Sequence, residues 1–509
     1  MDQNGCEKIM GRILRKAKKI AKRFFKKENP QLAALEILRI RNSEYFDEEY
    51  YRDTYPDMDA TAVDPAEHYY WFGAKELRNP SELFNTKEFL EQHGKCRKNP
   101  VIECLDFQIE NPSYQPPTVK RMTASQMLDR YFLNCTPLKT SVSAPLKEHR
   151  LNIIYNGFDH SAFFGGKATA LLLAIVYCNR FHINLRIISQ QPDPGIFGEF
   201  TKLFGLEANF DVSYFSYNSN CYLEVDPKDD FLCTMWENAF SVLNTPNITG
   251  KIFYIMQEVE TFFYDHGDKA LRAFQVLSDK RIIPIVNSKL LYDYLCDHGY
   301  RNVRENGCVF QPVFSHNLLK PSSESFQEKD RYKLFFYGRP GHQRNIFFFG
   351  VEVLNEAFKR GILDPEKWTI TVIGDNSIPR FEFDTGVRFE CRGAMSWEEY
   401  CDFLSQIDLC YSMIYTPHPS YPPLDAVSAG AVALTNRYAN KQDLSSFSEN
   451  IVMADLDLES MLEGLQAAIR LAQDPQRRRE NFEKHTHTFG DWRENFQETT
   501  DFMREQSIK

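Results

Sequence analysis

Two arginines five residues apart, Arg339 and Arg344, bracket a Pro-Gly turn in YGRPGHQRN (337–345), directly after the apolar run YKLFFYGR (332–339). A guanidinium is permanently charged and grips phosphate oxygens in pairs. Two of them at a strand end can therefore clamp a diphosphate and neutralise charge as it departs. A charged surface loop has the same composition, and the position at the end of a strand separates the two readings. A second stretch, YSMIYTPHPSYPPLDAVSAGAVALTN (411–436), reads as strand end, proline-stiffened loop, short helix and strand. Pro422 and Pro423 suit the first helical positions and Gly430 a left-handed stop. The first-turn N–H groups near Ser420 and Tyr421 then face the loop, where a helix N-terminus can hold phosphate without a metal. Asp425, one turn in, can accept a sugar hydroxyl; an ordinary strand-loop-helix satisfies the same residues.

Two further clusters follow strands. In YIMQEVETFFY (254–264), Gln257, Glu258 and Glu260 offer contacts to an acceptor hydroxyl, and the two acids are candidate general bases, although loop carboxylates are common. Trp236-Glu237 stands in a similar position. In Gly157-Phe158-Asp159-His160 and Phe163-Phe164-Gly165-Gly166, the glycines let backbone approach a ligand, with Asp159 and His160 on the acceptor side. This is not G-x-G-x-x-G, and glycines easing a turn fit equally.

The elements that must carry these residues alternate from Arg150 onward. Strands are predicted at 151–158, 183–190, 230–236, 250–257 and 281–288, with a buried helix at 167–181. After a polar link near 321–330 a second series begins: strands at 332–339, 368–374, 387–393, 408–414 and 451–456, with helices at 346–360 and 396–406. Such alternation specifies an α/β chain with two doubly wound parallel sheets, whose shared place for a ligand is the cleft between their strands' carboxyl ends.

Upstream, residues 44–107 contain a degenerate duplication, with Phe46 matching Phe84, Tyr51 matching Phe89, and Asp64-Pro65 matching Asn99-Pro100. Each unit suggests two short helices, the second opened by proline, sharing one small core. Tyr50, Tyr51, Tyr55, His68, Tyr69, Tyr70 and Trp71 form either that core or a sugar-stacking surface. Asp57 and Asp59 make a D-x-D, in a turn where a helix cap is the simpler role. The predicted organisation is a basic amphipathic segment (1–40), a tyrosine-rich helical repeat domain (41–110), a linker (111–150) with a helix around 124–133, an N-terminal Rossmann-like domain (151–320), a C-terminal Rossmann-like domain (321–490) and a C-terminal helix or tail (491–509).

Composition bounds the function. With 43% hydrophobic residues, the 509-residue chain can build sizeable cores. Net charge is −10, yet residues 1–27 carry a local +8, so the rest is a poor nucleic-acid binder. Ile9, Ile13, Leu14, Ala17, Ile20, Ala21 and Phe24 recur at helical spacing among those basic residues. Residues 8–27 then form an interfacial helix on anionic lipid, or a solvated helix docked on the acidic body. Twelve scattered cysteines without C-x-x-C argue for reduced thiols and against zinc. No apolar run is long enough to span a bilayer and no signal-peptide core is present, which places the chain in the cytoplasm, peripheral at the inner face of the membrane.

Taken together, YGRPGHQRN, GAMSWEEYCDFLSQIDLCYSMIYTPHPSYPPLDAVSAGAVALTN, NKQDLS and YIMQEVETFFY resemble the WsaF-type rhamnosyltransferases of bacterial surface-layer and rhamnan glycans, similar to glycosyltransferase family 4, over about residues 150–490. The resemblance implies a GT-B fold, a nucleotide-sugar donor held mainly by the C-terminal domain, retention of configuration and no obligatory metal or other cofactor. By position, Arg339 and Arg344 match the basic pair on the donor diphosphate, Ser420 and Tyr421 the backbone phosphate contacts, Gly393 the segment that meets the base, and Asp425 the second acid of an E-x7-E motif. The first acid falls at Pro417, so His418 is the candidate contact to the donor sugar. The expected reaction moves a sugar, L-rhamnose from dTDP-rhamnose by the resemblance, to a glycan or lipid-linked acceptor. A sugar-nucleotide epimerase and a non-catalytic glycan-binding scaffold remain as alternatives.

Overall fold

The computed structural model describes residues 30–508 apart from 59–62, 95, 120–122, 133–134, 143–148, 219, 313–318, 376, 394 and 485–490. The basic stretch 8–27 and Asp59 lie outside the described residues. Two compact units divide the chain, Met1–Leu128 and Asp129–Lys509.

In the first unit the duplication becomes two helix pairs, Glu48–Thr54 with Pro65–His68 and Thr86–His93 with Pro100–Glu110, behind a leading helix Pro30–Arg41. Each second helix opens on proline, which loses no usable donor there, behind an Asx cap: Asp64 accepts the Glu67 N–H and Asn99 the Val101 N–H, both at 3.1 Å. The matched pairs Phe46/Phe84 and Tyr51/Phe89 share one core with Ile40, Tyr69 and Val101. Tyr51 and Tyr69 are thus core, their hydroxyls satisfied by His68 at 3.1 Å and Thr86 at 2.9 Å. Asp57 corrects an expectation. Instead of capping a helix it takes the Arg78 guanidinium through both carboxylate oxygens, at 2.9 and 2.8 Å.

Among the described residues the second unit holds fifteen strands: β1 (Thr140–Val142), β2 (Arg150–Ile154), β3 (Asn184–Ser189), β4 (Val212–Ser216), β5 (Leu223–Val225), β6 (Asp229–Cys233), β7 (Ile252–Met256), β8 (Ile282–Asn287), β9 (Cys308–Phe310), β10 (Tyr332–Gly338), β11 (Trp368–Gly374), β12 (Glu390–Arg392), β13 (Leu409–Tyr411), β14 (Val432–Asn436) and β15 (Ile451–Ala454). They form a seven-stranded sheet, β4-β3-β2-β6-β7-β8-β9, and a six-stranded sheet, β12-β11-β10-β13-β14-β15, with every pairing parallel. Near-continuous apolar runs follow from helices covering both faces, as in β8, where all six residues are buried. A small ribbon pairs β1 with β5, Thr140 opposite Leu223, inside the stretch expected to be linker. Three residues are too short for alternation to show.

Helix Gly165–Phe181 is buried almost all round because it is covered twice. The first sheet lies on one side, and Trp492, Phe496 and Met503 of the C-terminal helices Trp492–Asn495 and Gln497–Ile508 enter the same core. Arg180 fixes that return, donating to the Gln497 carbonyl at 2.7 Å and to Asp501 at 2.9 Å. At their amino ends both sheets bury acid-base clusters, Asp229 with Arg150 and Arg186, and Asp408 with Lys329 and Arg478. Among the described residues no helix is long and apolar enough to cross a membrane.

Candidate active site

Four strands deliver polar side chains from their carboxyl ends to one place. Beyond β7 come Gln257 and Glu258; beyond β10, Arg339 and Arg344; beyond β13, Thr416 and His418; beyond β14, Lys441. Glu258 is 6% exposed and sits at the centre. One of its oxygens meets the Arg344 guanidinium, and the other accepts the Thr416 hydroxyl and its neighbour's N–H, Val259, the last at 2.9 Å. Burial pushes the Glu258 carboxyl up while Arg344 and the Thr416 hydrogen bond oppose it. An unpaired carboxylate there would be strongly disfavoured, so acid and guanidinium hold one another.

Local backbone sets the Arg344 position. A single turn of 3-10 helix, Gln343–Asn345, is followed by Ile346 in the left-handed region at φ 41°. The Tyr415 N–H donates to the Arg344 carbonyl at 2.7 Å, tying this loop to the one after β13. The guanidinium also rests on the Phe263 ring, 4.1 Å from its centroid. Arg339 contacts the His342 side chain, and its buried Nε has no partner among the described residues. Burial, with Arg339 and Arg344 nearby, lowers His342 below the ordinary histidine value.

His418 is 4% exposed. Its Nδ1 accepts the Ser420 N–H at 3.0 Å, which puts the ring proton on Nε2, a donor with no partner among the described residues. Burial, then the cations Lys441 and Arg344, lower it to about 3, so the ring is neutral. The Ser420 N–H, expected to face a phosphate, is therefore committed to His418, and Ser420 itself takes a left-handed φ of 73°. Lys441 is completely buried, its Nζ without a hydrogen-bond partner among the described residues, and burial lowers it to about 7 against the opposing pull of Glu258.

The helix Tyr421–Ser428 does open on its prolines and stop at Gly430, φ 85°. Its Tyr421 contributes through the side chain. The hydroxyl lies 2.8 Å from Thr169 Oγ1, 2.7 Å from Asn287 Nδ2 and 3.4 Å from Gln257 Oε1, joining the second sheet's helix to the first domain. Gln257 Nε2 donates to the Gly166 carbonyl at 2.7 Å, and a Cβ on Gly166 would stand 3.2 Å from the Gln257 amide. Close approach of Gln257 thus requires glycine there, while Gly165 supplies a left-handed φ of 52°.

Other predicted residues lie elsewhere or change role. Asp425 is 5% exposed and accepts the Tyr400 hydroxyl at 3.3 Å; burial raises it to about 8, so it is a neutral acid at pH 7. Glu260, 8% exposed, is raised to about 8 by burial, which leaves it protonated where a general base must be ionised. Asp159 caps the 3-10 turn His160–Phe163 by accepting the Ser161 N–H at 2.8 Å, and exposed His160 pairs with Glu199 at 3.1 Å. Gly393 lines an open groove of about 720 Å³ with Lys333, Thr371 and Arg392 on the second sheet. Beside Arg344 lies a different cavity, about 570 Å³, walled by Phe262, Phe263, Tyr264, His266 and His342. Among the described residues no group of three or more His, Cys, Asp or Glu is arranged to hold a metal ion.

Sequence reasoning missed Thr416, Asn287, Thr169 and the placement of Lys441. Each is a single polar residue near a strand or helix end, and nothing local marks it.

Two parallel doubly wound sheets meeting through their carboxyl ends define the GT-B fold of glycosyltransferases, with its two Rossmann-like domains. HepE of Anabaena, solved in complex with UDP and glucose, superposes with a TM-score of 0.51 over 70% of this chain and 100% of that one, at 12% identity. Sucrose-phosphate synthase of Thermosynechococcus elongatus gives 0.50 over 70% and 99%, at 11% identity. Within this fold, residues 332–466 match the family described as WsaF, C-terminal domain. The O-antigen biosynthesis protein RfbC of Myxococcus xanthus is 28% identical over 253 residues, 47% of this chain but only 18% of that protein.

Proposed function

We propose that the chain is a glycosyltransferase of cell-surface polysaccharide assembly, carrying L-rhamnose from dTDP-rhamnose to a growing glycan or lipid-linked acceptor with retention of configuration. The observation that carries this reading is the pair Arg339 and Arg344 at the carboxyl end of β10, inside the segment that matches the WsaF C-terminal domain. Negative charge develops on the departing diphosphate, and two guanidiniums are suited to meet it there. Neutral His418, with its Nε2 proton uncommitted, is suited to a sugar oxygen. Glu258 is ion-paired and Glu260 protonated, so the acceptor proton passes to the leaving phosphate and no separate carboxylate base acts. The positive charge comes from side chains, and the reaction is proposed to need no metal. Aromatic residues of the cavity beside Arg344 suit the acceptor's sugar rings, and residues 8–27 would hold the protein at an anionic membrane.

The test is incubation of the full chain with a panel of nucleotide sugars, with and without lipid-linked or short glycan acceptors. Acceptor-dependent release of dTDP from dTDP-rhamnose that survives a chelator is the expected result. Release without acceptor would favour an epimerase, and silence across the panel with no nucleotide binding would favour a glycan-binding scaffold.

A further inference from the structure

Arg344 has one guanidinium and, on the reading above, two anions to serve. In the structure it neutralises Glu258. If it turns toward a diphosphate, Glu258 keeps only the Thr416 hydroxyl and the Val259 N–H, in a place where it is 6% exposed. A buried carboxylate stripped of its cation is strongly disfavoured. Donor binding would then be opposed by the residue that positions the arginine, unless another cation takes its place.

Lys441 has the attributes of that cation. Its side chain is fully buried and its Nζ has no acceptor among the described residues, which is unfavourable for an ammonium unless a carboxylate is at hand. The acid whose charge offsets its burial is Glu258. The turn that carries it is rigidly held. Tyr438 and Lys441 exchange backbone hydrogen bonds at 3.1 and 2.8 Å, Ala439 between them is left-handed at φ 46°, and Asn440 Nδ2 reaches across to the Leu290 carbonyl at 2.8 Å. The same turn touches the arginine loop, because the Tyr438 ring packs 4.5 Å from that of Tyr415, whose N–H holds the Arg344 carbonyl.

We propose that Lys441 is a positioning residue that takes over Glu258 when Arg344 turns to the donor diphosphate, so that the arginine is released without leaving a bare buried charge. Lys441 touches neither sugar nor phosphate in this scheme and acts through Glu258. The inference rests on the reading of Arg344 as a diphosphate ligand.

The experiment is calorimetric titration of the full chain with dTDP and with UDP, for wild type and for K441M, K441R, E258Q, E258Q/K441M and R344A, each checked for folding by thermal unfolding. K441M is expected to bind about tenfold more weakly, equivalent to about 1.4 kcal/mol, and K441R within about threefold of wild type. In the E258Q background, where no carboxylate needs a second cation, K441M is expected to change nothing. That background also decides the matter if K441M alone is unstable: equal binding by E258Q and E258Q/K441M supports the exchange, and a tenfold further loss overturns it. An unaltered affinity in K441M overturns it as well. Binding by R344A as tight as wild type, or no binding of either nucleotide by wild type, overturns the reading of Arg344 and this proposal together. Loss in R344A with purely additive effects of K441M and E258Q overturns this proposal alone.

Discussion

Arg344 and Glu258, 86 residues apart in the chain, form an ion pair between the two Rossmann-like domains, with the acid buried and the guanidinium half-buried. The arginine follows the first strand of the second sheet, and the acid follows a central strand of the first. One contact therefore closes the domains on each other and places a guanidinium at the cleft.

Removing the guanidinium leaves Glu258 buried and uncompensated. Arg344→Ala should lower stability by about 3 kcal/mol, and the added Glu258→Gln change should recover a large part of it. Turnover should fall about 10²-fold or more in both variants, since the charge facing the leaving group is gone from each. Denaturant unfolding and donor kinetics on the two proteins check this. Equal stability of wild type and R344A would remove the ion pair from the account.

Asp425 offers a pH test. Its carboxyl is raised from 3.8 to about 8, so between those values the folded protein keeps a proton that the unfolded chain has lost. Stability from this group is fully present below about pH 4 and is lost as pH rises through about 8. Asp425→Asn, which can still accept the Tyr400 hydroxyl, should match wild type near pH 4 and exceed it by about 2 kcal/mol or more at pH 8. Unfolding curves across that range that stay parallel would show the carboxyl to be ionised in the fold.

Tyr421→Phe takes away the hydroxyl that meets Thr169 and Asn287. The expected cost is about 1 kcal/mol, because Thr169 keeps its bond to the Gly165 carbonyl at 3.0 Å and Asn287 its bond to Gln257 Oε1 at 3.3 Å when the hydroxyl is lost. Faster amide exchange should appear in the first turns of helices Gly165–Phe181 and Tyr421–Ser428. Unchanged exchange in both would mean that the hydroxyl does not hold the domains together.

The C-terminal helices should behave as part of the first domain's core. Phe496 is fully buried there. Phe496→Ala should cost about 3–5 kcal/mol by the cavity it leaves. Truncation before Trp492 should yield a chain that binds a hydrophobic dye and aggregates. A truncated protein as stable as wild type would refute the clamp.

Much of the fold is legible in the chain. Apolar runs of four to eight residues announced β2, β3, β7, β8, β10 and β11, because strands covered on both faces carry few polar residues. Prolines behind an Asx residue announced the helices at Pro65 and Pro100, and Gly430 announced the end of its helix, because caps and stops are local chemistry. The largely apolar helix 167–181 was readable as buried, but the C-terminal segment that covers its outer face was not, since nothing in either stretch names its partner.

For the candidate site, the sequence by itself determined which strand ends carry Arg339, Arg344, Glu258, Glu260 and His418, because backbone periodicity and turn residues are written within a few positions of each. Only the tertiary structure decided what those groups are. It paired Arg344 with Glu258, fixed the His418 proton on Nε2 through Ser420, left Glu260 and Asp425 protonated, turned Tyr421 into a link between domains, and buried Lys441 beside Glu258. Charge, protonation and pairing depend on burial and on neighbours brought from distant strands, and those are set by how the two sheets close on each other.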